Sequence, residues 1–449
     1  MPLIKRIATL LLCLTLAGCA GLPTGDSQLA GVSYEVRSAD LQHVHRMNRV
    51  LIADQALLDY LNGILIRLEA GLDEPCNCIV VVDSFAGYEA YALSPYTIVL
   101  STGVMAQAES EDEIAALLAH ELSHVFHEDT IKSRFQQAAV TAARIGGIAA
   151  GNGYSVVLGD AAKEAANGLI YHRWNSEQEV QADAFAVSLL AAAGYSQDGL
   201  KMAVRRLGEY SQSALASRGD DTPVCVTDAG DNRYNVNFAG CAARMTGSRD
   251  SLYEPMEVRL EKLNERIWEL EPDERRRRIG NDVPRFASVD YLYGLNRLVS
   301  NNETELRAGL EAVEQDAIPP MLEKNAHVYN QLSLAHAMLG NLEPAQDYFM
   351  KTLESDYRTT FNYQRLLHHA NQQNNPQMVG RIITLMHHDI GLSEEMLPYE
   401  YYLAKRHELR LHEAQAWARC GLNLAQNLEL YQRCVEFGEA ADKNLVLKW

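Results

Sequence analysis

Nothing in this sequence offers a bilayer a full helical span. The apolar stretch Ile7 to Leu16 falls short of the ~20 residues a membrane helix needs, and a mean hydropathy of -0.20 excludes a polytopic membrane protein. Basic residues are scarce as well: 40 Lys and Arg against 59 Asp and Glu leave a net charge of -19. That balance repels phosphate backbones and sets nucleic acid aside as a partner. Cysteine is sparse, with eight in 449 residues. Apart from Cys13 and Cys19, the six that remain fall into local pairs, Cys76/Cys78, Cys225/Cys241 and Cys420/Cys434, an even set that suggests disulfides in an oxidising compartment. Cys225/Cys241 would staple a Gly-, Asp- and Asn-rich loop, whereas Cys76/Cys78 is ambiguous, because a bridge across one residue is strained. No second closely spaced Cys/His pair accompanies them, which weakens a cysteine-based zinc reading. What is present is ordinary globular material, 47% hydrophobic and 22% charged, with a length that predicts two or three domains.

The N-terminus has the layout of a secretory signal: Lys5 and Arg6, then the apolar stretch, then Leu16-Ala17-Gly18-Cys19. Leu-Ala-Gly-Cys resembles the bacterial lipobox, in which the chain is cut before the Cys and the Cys is acylated. Residues 1–18 are thus expected to be a lipoprotein signal peptide and Cys19 the lipidated first residue. An ordinary signal peptide is the alternative, although small residues fill both required positions before Cys19. Ala20 stands where an Asp would signal inner-membrane retention in such lipoproteins, so an outer-membrane anchor facing the periplasm is expected. Loss of Lys5 and Arg6 leaves 38 basic against 59 acidic residues, a mature net charge of -21.

Residues 19–42 read as a tether. Leu57, Leu58, Leu61, Ile64, Leu65 and Leu68 share one helical face that Gly71 closes. Ile79-Val80-Val81-Val82 and Thr97-Ile98-Val99-Leu100 predict short buried strands. Ser110 and Glu113 form a capping box for a helix running to about Asp129. Asn175-Ser176 caps a second helix ending at Gly194-Tyr195, residues 219–248 read as loop, and Pro255 opens a charged helix through Leu270. Pro272, the Arg275–Arg278 run, Gly280 and Pro284 mark a linker over 273–285. Beyond it, 286–449 is helical in pattern, with turn signals at Asn301-Asn302, Gly340-Asn341 and Asn374-Asn375, the last two about 34 residues apart as in tetratricopeptide repeats. Leu332, Gly340, Ala345, Phe349 and Leu353 resemble one such repeat, and a plain helical bundle is the alternative.

The chemistry concentrates in His120-Glu121-Leu122-Ser123-His124. At i and i+4 both imidazoles leave one helix face and can converge on zinc, while Glu121 is placed to take a proton from zinc-bound water. The metzincin form is excluded, since His127 and Thr130 stand where it needs Gly and His. Glu179 and Asp183 share a face of the downstream helix, so Glu179 can be the third ligand and Asp183 can orient a zinc-bound histidine. Ser176 and Glu179 also fit a capping box, a reading that leaves Asp183 unexplained.

Glu179-Val180-Gln181-Ala182-Asp183 after HExxH, closing on Ala193-Gly194-Tyr195, resembles the gluzincin metallopeptidases of the HtpX and CAAX prenyl endopeptidase type. The periplasmic β-barrel assembly-enhancing type with C-terminal tetratricopeptide repeats matches best. The resemblance implies an α+β zincin-like metallopeptidase domain, mainly α with a small β-sheet, over 43–272, and an all-α tetratricopeptide-like repeat domain over 286–449. It implies one Zn2+ held by His120, His124 and Glu179, with Glu121 as general base and Asp183 as a supporting catalytic residue, in such enzymes sometimes assigned a proton-transfer role. Three departures stand out. The family's Asn-Ala-aromatic-Ala-Leu-Pro-Gly segment appears as Glu89-Ala90-Tyr91-Ala92-Leu93-Ser94-Pro95. His127 lies one turn beyond the ligand stripe and reads as surface or supporting. The family's His-Pro ahead of a helix is Tyr253-Glu254-Pro255 here, leaving Tyr253 or Glu254 to gate the site, or neither.

The expected activity is hydrolysis of peptide bonds in misfolded or stalled envelope proteins, with an edge strand near Ile98 pairing with extended substrate. The helical repeats would hold substrates or assembly-machinery partners. The competing class is a chaperone or scaffold with a structural or latent zinc site, against which an intact Glu121 argues.

Overall fold

The computed structural model describes residues 34, 36–127, 176–217, 226–228, 234–236, 256–275, 280–296, 298 and 303–445. The signal sequence, Cys19, the Cys225/Cys241 pair, Tyr253 and Glu254 lie outside the described residues. The protein is mostly helical, with a small three-stranded sheet.

Helix α1 (Ser38–Arg46) precedes α2 (Gln55–Glu69), where Asp54 caps the first turn by accepting the amides of Ala56 and Leu57. The predicted apolar stripe of α2 is buried. The helix stops before Gly71, whose lack of a Cβ serves close approach instead: a methyl there would meet the Ala192 Cβ at 3.1 Å.

Strands β1 (Ile79–Asp83), β2 (Ala90–Ser94) and β3 (Thr97–Ser101) follow, in the order β1-β3-β2. The Pro95-Tyr96 turn makes β2 and β3 an antiparallel hairpin, and β1 joins β3 in parallel with Val81 opposite Val99. The strand holding Ile98 is therefore central, which corrects the expectation of an edge there. A tight turn forces β2 beside β3, and the β-branched β1 takes the other flank. Past β1, the Ile52 amide donates to Val82 O, so β2 is the edge strand of this sheet among the described residues. Alternation splits the sheet into two buried faces. Val80, Val82, Ala92, Ile98 and Leu100 enter the main core, whereas Val81, Tyr91, Leu93 and Val99 meet Leu41 and Val44 of α1 and Leu51 and Leu58.

After the short α3 (Thr102–Gln107), α4 (Glu111–Phe126) runs through the core, buried from Glu111 to Val125. Ser110 Oγ accepts the Glu113 amide, but Glu113 does not return to Ser110. Its carboxylate takes the Glu109 amide, the Tyr88 hydroxyl and Arg206 Nε, so only half the predicted capping box forms. Three successive carboxylates open this helix, where its dipole favours them, and each anchors a different element. Glu111 holds Arg67 and Tyr195, and Asp112 accepts the amides of Ser196 and Gly280. The outcome is one fixed placement for α4.

Helix α5 (Ser176–Ala193) ends at Gly194, where the sequence places its end, and Gly194 closes it in left-handed conformation at φ +78°. Then come α6 (Asp198–Ser217), a two-stranded hairpin of β4 (Val226–Asp228) and β5 (Tyr234–Val236) inside the stretch expected to be loop, and α7 (Met256–Glu269).

Nine helices follow among the described residues: α8 (Ala287–Asn296), α9 (Glu303–Gln315), α10 (Ala326–Met338), α11 (Leu342–Lys351), α12 (Thr360–Gln372), α13 (Pro376–Asp389), α14 (Leu397–Arg406), α15 (Arg410–Gln426) and α16 (Leu428–Asp442). The hairpins α10/α11 and α12/α13 are offset by 34 residues at both helix starts, 326 to 360 and 342 to 376, and turn at Gly340 and Asn374 in left-handed conformation. The main core continues across 273–285 into Leu292, Leu295, Leu322, Val328 and Leu332. Ser288 Oγ donates to Asp54 Oδ2 at 2.6 Å, a tie between the two sides of the expected linker. Cys420–Cys434 joins α15 to α16, and Cys76–Cys78 is bridged as well. No helix among the described residues is long and apolar enough to cross a membrane.

Candidate metal centre and active site

On α4, the four-residue spacing turns both imidazoles to one side, and His120 Nε2 and His124 Nε2 lie 3.3 Å apart. Glu179 comes from the first turns of α5. Its Oε2 is 3.6 Å from His120 Nε2 and its Oε1 3.7 Å from His124 Nε2. Tetrahedral zinc with bonds of about 2.0–2.1 Å sets its ligand atoms about 3.4 Å apart, so these three donors fit one ion and leave a fourth position open. They form one of two metal-competent groups among the described residues.

Asp183, one turn beyond Glu179, has Oδ1 3.0 Å from His120 Nδ1. Burial alone would raise its pKa, but the Arg259 guanidinium and the His120 contact hold it well below the usual carboxylate range. An ionised Asp183 can only accept, so His120 Nδ1 carries the hydrogen and Nε2 presents its lone pair to the cluster. Asp183 and Glu179 also raise the His120 pKa against an opposing burial effect and the charge of Arg259.

Glu121 is buried beside the ligands, and the Ala92 amide of β2 donates to its Oε2 at 2.9 Å. Burial chiefly, with the negative charge of Glu179, pushes this carboxyl up to about 8, while His120, the Ala92 amide and Arg259 pull it down. Glu121 is thus held on β2 beside the metal-competent groups, the placement a general base needs.

Arg259 went unrecognised in the sequence. From α7 its Nε reaches Asp183 Oδ2 and its Nη2 reaches Asp183 Oδ1, both at 2.7 Å, and Nη2 lies 3.3 Å from Glu179 Oε2. A signal was available: Arg259 shares its helix face with Leu263 and Ile267, both buried, so a cation stands on an apolar stripe.

His127 stays apart from the cluster. It terminates α4, with Nδ1 on Ser123 O at 2.8 Å and Nε2 on Gln181 Nε2 at 3.0 Å. The Ser176 side chain, and with it the capping alternative for Glu179, lies outside the described residues. Ser94, the changed turn residue, donates to Asp40 Oδ2, as does Thr97, which ties the β2–β3 turn to α1.

Residues 60–239 match the model of peptidase family M48. A Vibrio cholerae serotype O1 protein described as a beta-barrel assembly-enhancing protease is 28% identical over 179 residues, covering 36% of this chain. The match spans 35% of that relative's length. The family match includes His120, Glu121, His124, Glu179 and Asp183 and stops short of Arg259, and M48 is a family of metallopeptidases. Over residues 60–239 the chain is thus similar to peptidase family M48.

Proposed function

We propose that the protein is a zinc-dependent endopeptidase, an HExxH gluzincin, that cleaves misfolded or stalled envelope proteins. The observation that carries the reading is the convergence of His120, His124 and Glu179 beside a Glu121 held on the open edge of β2. Zinc bound there would polarise the scissile carbonyl and acidify water.

The chain's own residues account for the rest. Glu121 takes a proton from the attacking water and passes it to the leaving amine. The β2 edge accepts substrate as an added strand. Ala92 pairs across β2–β3 with Ile98, yet its amide points away to Glu121, which places the outward-facing groups of β2 alongside the base. Asp183 and Arg259 keep His120 in the tautomer that leaves Nε2 free.

The cellular setting is part of the same proposal. The lipobox at Leu16–Cys19 supports acylation of Cys19 and an outer-membrane lipoprotein facing the periplasm. The relative's name associates a similar domain with β-barrel assembly. The 34-residue offset of the helical hairpins supports tetratricopeptide-like repeats, and the exposed Leu334, Met338, Leu342 and Met350 on the first hairpin offer apolar contacts for substrates or assembly partners.

The test pairs zinc stoichiometry with hydrolysis of an unfolded protein by purified wild type and Glu121→Gln. Zinc in both and hydrolysis in wild type alone supports the endopeptidase. Zinc without hydrolysis in either would favour a binding scaffold with a latent site.

A further inference from the structure

The two disulfides among the described residues do different work. Cys420 and Cys434 are fully buried, packed with Leu397, Tyr401, Ala416 and Leu430, and join two helices. Cys76–Cys78 lies in the loop between α2 and β1, with Cys76 half-buried, and spans one residue, Asn77, held at φ +51°. Closing so short a loop removes little entropy from the unfolded chain, so the fold has small need of this bridge. The left-handed Asn77 turns both cysteine side chains toward the end of α2. There Glu69, the last residue of that helix, accepts the Cys76 amide on Oε1 at 2.8 Å. A Glu69 carboxylate oxygen and both sulfurs lie within 4.8 Å of one another. The Cys78 amide also donates to Cys76 Sγ at 3.2 Å.

We propose that Cys76, Cys78 and Glu69 form a second metal site, opened by reduction of the disulfide, for a thiophilic ion of the Zn2+ or Cu+ class. A dithiol reductant supplies two electrons: its two S–H groups become a disulfide as the Cys76–Cys78 bond breaks to two thiols. The ion then displaces both thiol protons and binds the two thiolates, with the ionised Glu69 as third ligand. Soft sulfur ligands select such ions over Mg2+ or Ca2+. The site contains no histidine and owes nothing to the active-site cluster, so its fate is independent of the peptidase reading.

Cadmium is the probe, because a thiolate-to-cadmium charge-transfer band reports sulfur ligation and the His/His/Glu cluster has no thiolate. The full chain is reduced mildly under anaerobic conditions, thiols are counted, and Cd2+ is titrated. One equivalent should bind with the band in reduced wild type and none in the oxidised protein. Cys76→Ser/Cys78→Ser, which keeps the other cysteines, should lose the band, and Glu69→Gln should keep it with affinity lowered about tenfold or more. The proposal fails if the pair resists reduction under conditions that leave Cys420–Cys434 intact. It also fails if the reduced wild type shows no band, or if the band survives in the double serine variant.

Discussion

Replacing Arg259 by methionine keeps an aliphatic stem on the face of Leu263 and Ile267 and removes the cation that, among the described residues, bonds Asp183 through two nitrogens. Side-chain exposures of 16% for Arg259 and 9% for Asp183 make this a part-buried pair in which Asp183 is the buried member. Stripping one partner from a buried pair costs about 3–5 kcal/mol, because the other charge is left without compensation. The partial exposure of Arg259 points to the lower end. Asp183 would meet that penalty by rising in pKa, and a protonated Asp183 no longer fixes the His120 tautomer. Loss of such an orienting contact weakens metal binding about 10–100-fold. Arg259→Met should therefore unfold at lower urea and yield zinc to a chelator at correspondingly lower concentration. Arg259→Lys should fall between, restoring charge without the two-nitrogen fork. Wild-type zinc affinity in Arg259→Met would refute the chain of contacts from α7 through Asp183 to His120.

Glu121→Gln should retain zinc and lose hydrolysis by about 10²–10⁴-fold, whereas His124→Ala should lose both, as metal analysis beside a protease assay would show. Cys19→Ser should leave precursor or soluble protein in place of membrane-bound protein, and unchanged membrane fractionation with normal processing would reject the lipid anchor. Burial chiefly, with the charge of Asp83, pushes Glu89 up from 4.5 to about 7 against the pull of Arg49. A carboxyl raised on folding holds its proton more tightly in the native state, so its contribution is full below about pH 4.5 and is lost as pH rises through 7. Glu89→Gln should flatten the fall of stability across that window, and an equal stability difference from wild type at pH 5 and pH 8 would contradict the assignment.

What was legible in the sequence is what helical periodicity carries. Residues four apart on one helix must share a face, so the pairings His120/His124 and Glu179/Asp183 followed from spacing, and the structure brings those side chains together. Strand order is not local, and Ile98 read as an edge because nothing in five residues says which neighbour lies on which side. Arg259 was lost among the charges of α7, where a solvated face is the ordinary reading and only its register with Leu263 and Ile267 marks it. The half-formed cap at Ser110 shows the same limit: Glu113 matches the motif, yet Tyr88 and Arg206, distant in sequence, compete for its carboxylate. The charged, Pro-containing stretch 273–285 has linker composition, but the apolar face of α8 beyond it needs cover, and Val289, Leu292 and Leu295 find it in the core of the peptidase region.

Helix α1, nine residues long, is likewise placed by partners distant in sequence. Its Asp40 accepts from Ser94 and Thr97 and so fixes the turn of the β2–β3 hairpin. From the same helix, Gln42 Nε2 donates to His388 O at 3.0 Å and Arg46 Nη1 to Ile390 O at 2.7 Å. The last carbonyls of a helix have no partner within it, and here the end of α13 is satisfied by a segment more than 340 residues away in the chain. A single helix thereby ties both the β2–β3 turn and the end of α13. The β2–β3 turn, and with it the strand whose Ala92 amide holds Glu121, is thus tied through α1 to the C-terminal helices.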